Sequence, residues 1–152
     1  MHNVYLGLGS NQGDREEYIR KAISLIGERV GEVLRQSSLI ETEPWGFQSE
    51  NKFLNGVILV ATALTPREVL QATQKIERTL GRDEKPEYDA DGHRVYHNRS
   101  IDIDILFYGT EHIDTEDLVV PHPLIGERDF VKIPLAEIAK PSLRSAFPEY
   151  FM

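Results

Sequence analysis

The chain has 152 residues, no cysteine and a formal net charge of -8 at pH 7, with 40% hydrophobic and 28% charged residues. These values are typical of one folded domain over residues 1–152, exclude disulfides and thiolate chemistry, and disfavour a nucleic-acid binder, which needs a basic surface. No run approaches the roughly 20 apolar residues of a membrane span, and the N-terminus has no basic leader. We therefore expect a cytoplasmic protein that binds neither membranes nor nucleic acid.

The first part of the chain predicts a strand followed by a helix. Val4–Leu8 is a short apolar run that ends in glycine and polar residues, as a strand leading into a tight loop does. Asp14 suits the N-cap position of a helix, with Glu17 three residues later. An apolar stripe at helical spacing follows, and Gly27 and Gly31 predict the fraying end of this helix.

Two more strands and a second helix come next. Val33–Ile40 and Asn55–Thr62 have the alternation and β-branched content of strands. Residues 41–53 between them are polar and irregular, which predicts a loop. The sequence TPRE, beginning at Thr65, contains a capping box with proline at the first helical position, and Gly81 ends the predicted helix.

The remaining elements complete an α+β pattern. Residues 82–98 have no periodicity, so we expect a long loop of the kind that is more often functional than idle. A strand over residues 99–109, a short strand at Leu118–Val120 and a helical turn then follow. The order β-α-β-β-α-β predicts a ferredoxin-like fold, with an antiparallel sheet, both helices packed on one face and the other face free for ligands.

The strand in RSIDIDILFYG, residues 99–109, contains two carboxylates. Strict alternation divides it into two sets: Ile101, Ile103, Ile105 and Phe107 on one face, and Asp102, Asp104, Leu106 and Tyr108 on the other. The aspartates then share a face at roughly 6 to 7 Å and repel each other unless a cation or hydrogen-bond donors lie between them. This strand alone leaves open whether it binds a divalent metal or is an edge strand with a solvated face.

Several other residues allow both a structural and a functional interpretation at this point. Gly7–Gly13 resembles a dinucleotide fingerprint, but its third glycine is one position late, so these glycines either permit a turn or serve a local function. Glu77 could be a surface ion-pair partner on its helix or a ligand contact. His122, held between two prolines, could contact a ligand or the backbone, and Phe53 and Phe130 would by default be core residues.

Six segments resemble the 6-hydroxymethyl-7,8-dihydropterin pyrophosphokinase family, in the same order and across nearly the whole chain. They are GLGSNQGD (7–14), ETEPWG (41–46), FLNGV (53–57), QATQKIERTLGR (71–82), RSIDIDILFYG (99–109) and VPHPLIGERDFVKIPLAEIA (120–139). The double-aspartate strand followed by the PHP segment is the most specific part of the resemblance.

The resemblance implies an ATP-dependent transferase of folate biosynthesis. Such an enzyme transfers pyrophosphate from ATP to the hydroxymethyl group of 6-hydroxymethyl-7,8-dihydropterin and releases AMP. The implied metal ligands are Asp102 and Asp104, which would hold two Mg²⁺ ions during in-line attack on the β-phosphorus. Arg82 and Arg99 would complete the catalytic set. A monomer is the family expectation.

The resemblance also implies the binding residues. The pterin site would comprise Thr42, Trp45, Phe53, Asn55 and Phe130. The ATP site would comprise Leu70, Gln74, Glu77, Arg82, Ile105, His122 and Arg128. In this interpretation the two phenylalanines sandwich the pterin ring, Asn55 binds its amide edge, and the arginines meet the phosphates.

The long loop departs from the family pattern. Many members have a second arginine where this chain has Glu84, and an Arg-Trp-Gly-Pro-Arg run where residues 95–99 read Val-Tyr-His-Asn-Arg. The arginine credited with assisting catalysis would then be absent or replaced by Lys85 or Arg94.

Two alternatives belong to other functional classes. A ferredoxin-like sensor would bind a structural cation and a ligand without turnover. A γ-phosphoryl kinase on the same fold would release ADP instead of AMP.

Overall fold

A computed structural model describes residues 1–43, 52–81, 90 and 100–151. The main sheet contains β1 (His2–Ser10), β2 (Gly31–Gln36), β3 (Ile40–Thr42), β4 (Phe53–Thr62) and β5 (Asp102–Tyr108). Its strand order is β2-β4-β1-β5, β3 pairs with β4, and all pairings are antiparallel. The helices are α1 (Arg15–Arg29), α2 (Pro66–Thr79), α3 (Asp129–Ile138) and α4 (Pro141–Ala146), and β6 (Ile113–Asp114) and β7 (Val119–Val120) form a hairpin. Short 3-10 turns cover Ile125–Glu127 and Pro148–Tyr150. The predicted α+β, ferredoxin-like fold is confirmed.

The two long helices begin where their capping residues predict. Asp14 accepts a hydrogen bond from the backbone N–H of Glu17, and α2 has a complete capping box between Thr65 and Glu68. The predicted end of α1 is confirmed, because the helix ends at Arg29, between Gly27 and Gly31. Gly31 then opens β2, where a Cβ would lie 2.0 Å from the carbonyl oxygen of Ala61. Over the described ranges, none of the helices combines the length and apolar character needed to cross a membrane.

The predicted strand Val33–Ile40 is two strands. Strand β2 stops at Gln36, the N–H of Ser37 still donates to the carbonyl of Val57 at 2.9 Å, and regular pairing with β4 resumes at Ile40–Thr42. At the break, the hydroxyl of Ser37 accepts a hydrogen bond from the N–H of Val57 at 2.8 Å, so a side chain replaces the backbone partner. The predicted loop over 41–53 is wrong at both ends, which belong to β3 and β4.

The sheet is covered on both faces, so the expectation of a free second face is wrong. One core packs α1 and α2 against residues such as Val4, Leu6 and Ile103. A second core packs α3 and α4 against the other face, with Leu135 of α3 fully buried. This face is covered because α3 has an apolar side, which is buried by packing against the sheet. Among the described residues, α3 and α4 leave part of this face uncovered.

A bulge in β5 changes the predicted alternation. The pairing with β1 shifts between Tyr5 and Leu6, which places Leu106 as the extra residue. Leu106 and Phe107 therefore both pack in the core beneath α3, while Tyr108 packs on the α1 and α2 side. The predicted sets are wrong after this point. The two aspartates precede the bulge and still share a face.

Candidate active site

A cleft opens on the α3 side of the sheet, where β1, β3, β4 and β5 meet the start of α3. It contains about 550 Å³ of empty space, including space open to solvent. The predicted site residues that line it are Thr42, Phe53, Asn55, Asp102, Asp104, Arg128 and Phe130. The structure thus brings every described pterin residue together with the aspartate pair.

The floor of the cleft is made by two glycines of the central strand β1. Gly7 lies opposite Asp104, and Gly9 lies between Asn55 and Asp102. A Cβ at Gly9 would lie only 3.0 Å from Oδ1 of Asn55. These glycines are in a strand and not in a turn, so their function is to leave space. Gly7 and Gly9 are two residues apart on β1, as Asp102 and Asp104 are on β5, and this matching spacing is the signal that could have identified them.

Asn55 has a fixed orientation at the cleft wall. Its Nδ2 donates a hydrogen bond to Oγ1 of Thr42 at 2.7 Å. The carbonyl Oδ1 therefore lies over Gly9 as a hydrogen-bond acceptor. Together with Phe53 and Phe130, this acceptor suits a flat ligand with apolar faces and N–H groups on its edge.

The carboxylates lie beside a buried arginine. Arg128, only 3% exposed, places Nη1 3.7 Å from Oδ2 of Asp104 and its guanidinium carbon 5.6 Å from the ring centroid of Phe130. No cluster of three or more acidic or histidine ligands occurs within the described part of the chain. Magnesium commonly uses one or two carboxylates and completes its coordination with substrate phosphates and water, so Asp102 and Asp104 fit such an ion.

Glu77 lies deep in the molecule and contacts the aspartate strand directly. Its carboxylate accepts a hydrogen bond from the backbone N–H of Ile103 at 2.9 Å, and the residue is only 2% exposed. The alternative of a surface ion pair is therefore wrong. Glu77 joins α2 to the outer edge of β5, between the two aspartates.

Four other predicted ATP residues are among the described ones, and they do not line the cleft: Leu70, Gln74, Ile105 and His122. Leu70 and Gln74 are half-buried on the same side of α2 as Glu77. Ile105 is buried between the sheet and the helices, so its side chain faces away from the aspartates.

His122 is fixed at the outer edge of β5. Its backbone N–H donates to the carbonyl of Leu106 at 3.0 Å, and its Nδ1 accepts from the N–H of Leu124 at 3.2 Å. In the neutral ring the proton is therefore on Nε2.

Part of the predicted site lies outside the described residues. This applies to Trp45, Arg82 and Arg99, and equally to Lys85 and Arg94, the proposed replacements for the missing arginine. Their assignments remain predictions.

Residues 5–140 match the family described as 7,8-dihydro-6-hydroxymethylpterin-pyrophosphokinase. The chain belongs to this family. It is 44% identical over 137 residues to the 2-amino-4-hydroxy-6-hydroxymethyldihydropteridine pyrophosphokinase of Porphyromonas gingivalis strain ATCC 33277, covering 90% of each chain. It is 42% identical over 142 residues to the protein of the same name from Bacillus subtilis strain 168, covering 92% of this chain and 80% of that one.

Solved structures have the same fold. An HPPK-DHPS protein in complex with substrates matches with a TM-score of 0.71 and 15% identity, covering 98% of this chain and 43% of the solved one. Wild-type Plasmodium falciparum HPPK-DHPS matches with a TM-score of 0.68 and 16% identity, covering 99% and 44%. This pyrophosphokinase therefore spans less than half the length of either solved chain, and at these identities the likeness shows the fold alone.

The family assignment defines the class of activity. The chain is a pyrophosphokinase, an ATP-dependent transferase of folate synthesis. The predicted enzyme class is confirmed, and a module that only binds its ligand is disfavoured.

Proposed function

We propose that the chain transfers the pyrophosphoryl group of ATP to the hydroxymethyl oxygen of 6-hydroxymethyl-7,8-dihydropterin, with two Mg²⁺ ions, and releases AMP. The observation that supports this reaction is the position of the Asp102 and Asp104 pair, directly beside the aromatic cleft. A ring bound in the cleft would present its substituent toward the carboxylates. The hydroxymethyl oxygen would bond to the β-phosphorus and lose its proton to solvent, while the bond from the β-phosphorus to the bridging oxygen breaks and that oxygen leaves with AMP.

The cleft supports pterin recognition through shape and one oriented amide. Phe53 and Phe130 offer apolar surfaces to the bicyclic ring, and Gly9 leaves the depth that the ring needs. Asn55 directs Oδ1 toward the cleft because Thr42 holds its Nδ2. This acceptor would bind an N–H of the pterin edge, and the surrounding apolar surface would exclude water.

The acidic end of the cleft would bind the polyphosphate. Asp102 and Asp104 would hold the magnesium ions, which when bound neutralise phosphate charge and favour attack at phosphorus. Arg128 would orient the phosphates with a charge that is already buried at the site. Arg82 and Arg99 are proposed to act on the same phosphates.

The nucleotide base would bind at the outer edge of β5. Glu77 and His122 already reach the backbone of this edge at Ile103 and Leu106. Backbone groups of Ile105, rather than its buried side chain, would contact the base, and Leu70 and Gln74 would complete the pocket. We further propose that the chain acts as a cytoplasmic monomer.

The test is an assay with ATP, MgCl₂ and 6-hydroxymethyl-7,8-dihydropterin that separates AMP from ADP. Asp102→Asn and Asp104→Asn keep the side-chain size and remove the charge. We expect pterin-dependent AMP from the wild type and a loss of about 100-fold or more in kcat in each variant. Asp114→Asn, in the exposed hairpin strand β6, is the matched control and should have wild-type activity.

The other products would contradict the proposal in different ways. ADP would place the attack on the γ-phosphorus. Tight pterin binding without any nucleotide product would support a binding module. Full activity in both aspartate variants would remove the metal role from this strand.

A further inference from the structure

The guanidinium of Arg15 joins the two strands that hold the pterin residues. Its Nη2 donates a hydrogen bond to Oε2 of Glu41 at 2.8 Å, and its Nη1 donates to the backbone carbonyl of Lys52 at 3.0 Å. Nζ of Lys52 is in turn 4.0 Å from Oε1 of Glu41 and 3.6 Å from Oε1 of Glu43. One side chain at the start of α1 thus connects the end of β3 to the entry of β4.

Both contacts lie one residue from a cleft residue. Glu41 precedes Thr42, and the carbonyl of Lys52 belongs to the peptide bond that enters Phe53. Because successive side chains of a strand point to opposite faces, Arg15 reaches β3 from the face opposite Thr42. Thr42 lies directly opposite Phe53 in the β3–β4 pairing and holds the amide of Asn55. The distance between the two strands at this point therefore sets the geometry of the cleft wall.

The local sequence fixes where Arg15 starts. Gly13 has a positive φ of 63°, and Asp14 caps the helix by accepting from the N–H of Glu17. Arg15 is consequently the first helical residue, beside the ends of β3 and β4. A hydrogen bond from Arg15 also lowers the pKa of Glu41, so this carboxylate is ionised at neutral pH.

Energetics favour a role in binding rather than in folding. The side chains of Arg15 and Glu41 are 31% and 47% exposed, and partly exposed ion pairs contribute little to global stability. Small displacements of groups that contact a ligand, in contrast, have a direct effect on its affinity. A contact that holds Thr42 and Phe53 together can therefore matter for the pterin without mattering for the fold.

We propose that Arg15 is a positioning residue for the pterin site, which sets the spacing of Thr42 and Phe53 without contacting the substrate. The inference rests on the proposed function, because it takes this cleft as the site of the pterin. It predicts a change in pterin affinity that is separate from ATP affinity and from the rate of the chemical step.

The experiment compares Arg15→Ala, Arg15→Lys and the control Arg20→Ala. Arg20 is on the same helix and has an ion pair only with Glu17 among the described residues, so its removal leaves β3 and β4 untouched. Each protein is tested for its KM values for pterin and ATP, its kcat and its Tm. Direct binding of 6-hydroxymethyl-7,8-dihydropterin is measured by fluorescence in the absence of turnover.

We expect Arg15→Ala to raise the pterin KM and Kd about fivefold, with ATP KM, kcat and Tm close to those of Arg20→Ala. Arg15→Lys should have an intermediate effect, because one ammonium group cannot reproduce the planar guanidinium, which donates to Glu41 and to the carbonyl of Lys52 at once. Equal pterin affinity in Arg15→Ala and Arg20→Ala would overturn the inference. A parallel rise in both KM values with a lower Tm would also overturn it, since that pattern indicates a general structural role.

Failure of the proposed function has a different signature. If the wild type forms no pterin-dependent AMP, the reaction is wrong, while the fluorescence titration still decides whether Arg15 positions the pterin-binding residues. If the wild type forms AMP and the titrations of the two alanine variants coincide, the reaction stands and the role of Arg15 does not.

Discussion

The carboxylate of Glu77 accepts a hydrogen bond from the backbone N–H of Ile103, the residue between Asp102 and Asp104. Strand β5 is at the edge of its sheet, so this N–H has no strand partner on that side in the described sheet. A side chain of α2 takes the place of the missing strand. The position of both carboxylates is thereby linked to the helix behind them.

Glu77→Ala should destabilise the protein and weaken its response to magnesium. The N–H of Ile103 would remain buried without this acceptor, which costs about 1 to 3 kcal/mol of unfolding free energy. Urea unfolding measures this loss, and the Mg²⁺ concentration for half-maximal rate measures the displacement of the aspartates. Glu77→Gln, which retains an acceptor oxygen, should lose less in both measurements. Equal stability of the alanine variant and the wild type would contradict this account.

Gly9→Ala should impair pterin binding specifically. The added methyl group would lie 3.0 Å from Oδ1 of Asn55 and 3.5 Å from Cδ1 of Phe53. The amide must then move, and we expect the pterin KM to rise about tenfold while the ATP KM stays within about twofold, because misplaced contacts have large effects on binding and rate. Gly27→Ala is the matched control, since a Cβ there has open space and suits the helix. An unchanged pterin KM in Gly9→Ala would exclude a role for the glycine floor.

Local patterns in the sequence predict much of this fold. Asp14 and the capping box at Thr65 place the starts of α1 and α2, because a cap depends on residues within one turn. The aspartates share a face because strand alternation is equally local. The bulge at Leu106 is different: it depends on pairing with β1, so alternation alone could not reveal that Phe107 and Tyr108 exchange faces.

Tertiary contacts explain what the sequence left open at the site. The helical position of Glu77 puts it on the buried side of α2, but its partner, the N–H of Ile103, follows only from the packing of α2 against β5. Arg15 acts through partners 26 and 37 residues away, a separation that no periodicity encodes. Gly7 and Gly9 could have been identified because their two-residue spacing matches that of the aspartates, but only once β1 and β5 are known to be neighbours.

Arg128→Met should make the stability of the protein depend on magnesium. Arg128 is 3.7 Å from Asp104 and offsets its charge in a site where the arginine is 3% exposed. Without this cation we expect the unfolding free energy to fall by about 1 to 3 kcal/mol. A metal that binds the folded aspartates but not the unfolded chain should restore part of it. The measurement is Tm with EDTA and with increasing MgCl₂.

Arg67→Met provides the comparison for that experiment. Arg67 makes a bidentate but exposed ion pair with Asp117, away from the carboxylate strand. Its loss should cost less than about 1 kcal/mol, with no recovery in magnesium beyond that of the wild type. Identical magnesium responses in the two variants would refute a metal site next to Arg128.

Tyr5→Phe should reduce the loss of stability at alkaline pH. The hydroxyl of Tyr5 accepts a hydrogen bond from the N–H of Lys140 at 3.0 Å, and burial raises the pKa of this phenol above its ordinary value of 10.0. The unfolded chain then ionises before the folded one, so the contribution of Tyr5 is complete below pH 10 and is lost as pH rises through the folded pKa. The variant should lose about 1 kcal/mol of unfolding free energy near neutral pH because it lacks the acceptor, yet this free energy should fall less steeply above about pH 10.

Burial also raises the pKa values of Tyr108 and Tyr150, so a smaller dependence on pH should remain in the variant. Urea unfolding across this pH range measures both effects, and parallel curves for the two proteins would show that Tyr5 does not contribute to the alkaline transition.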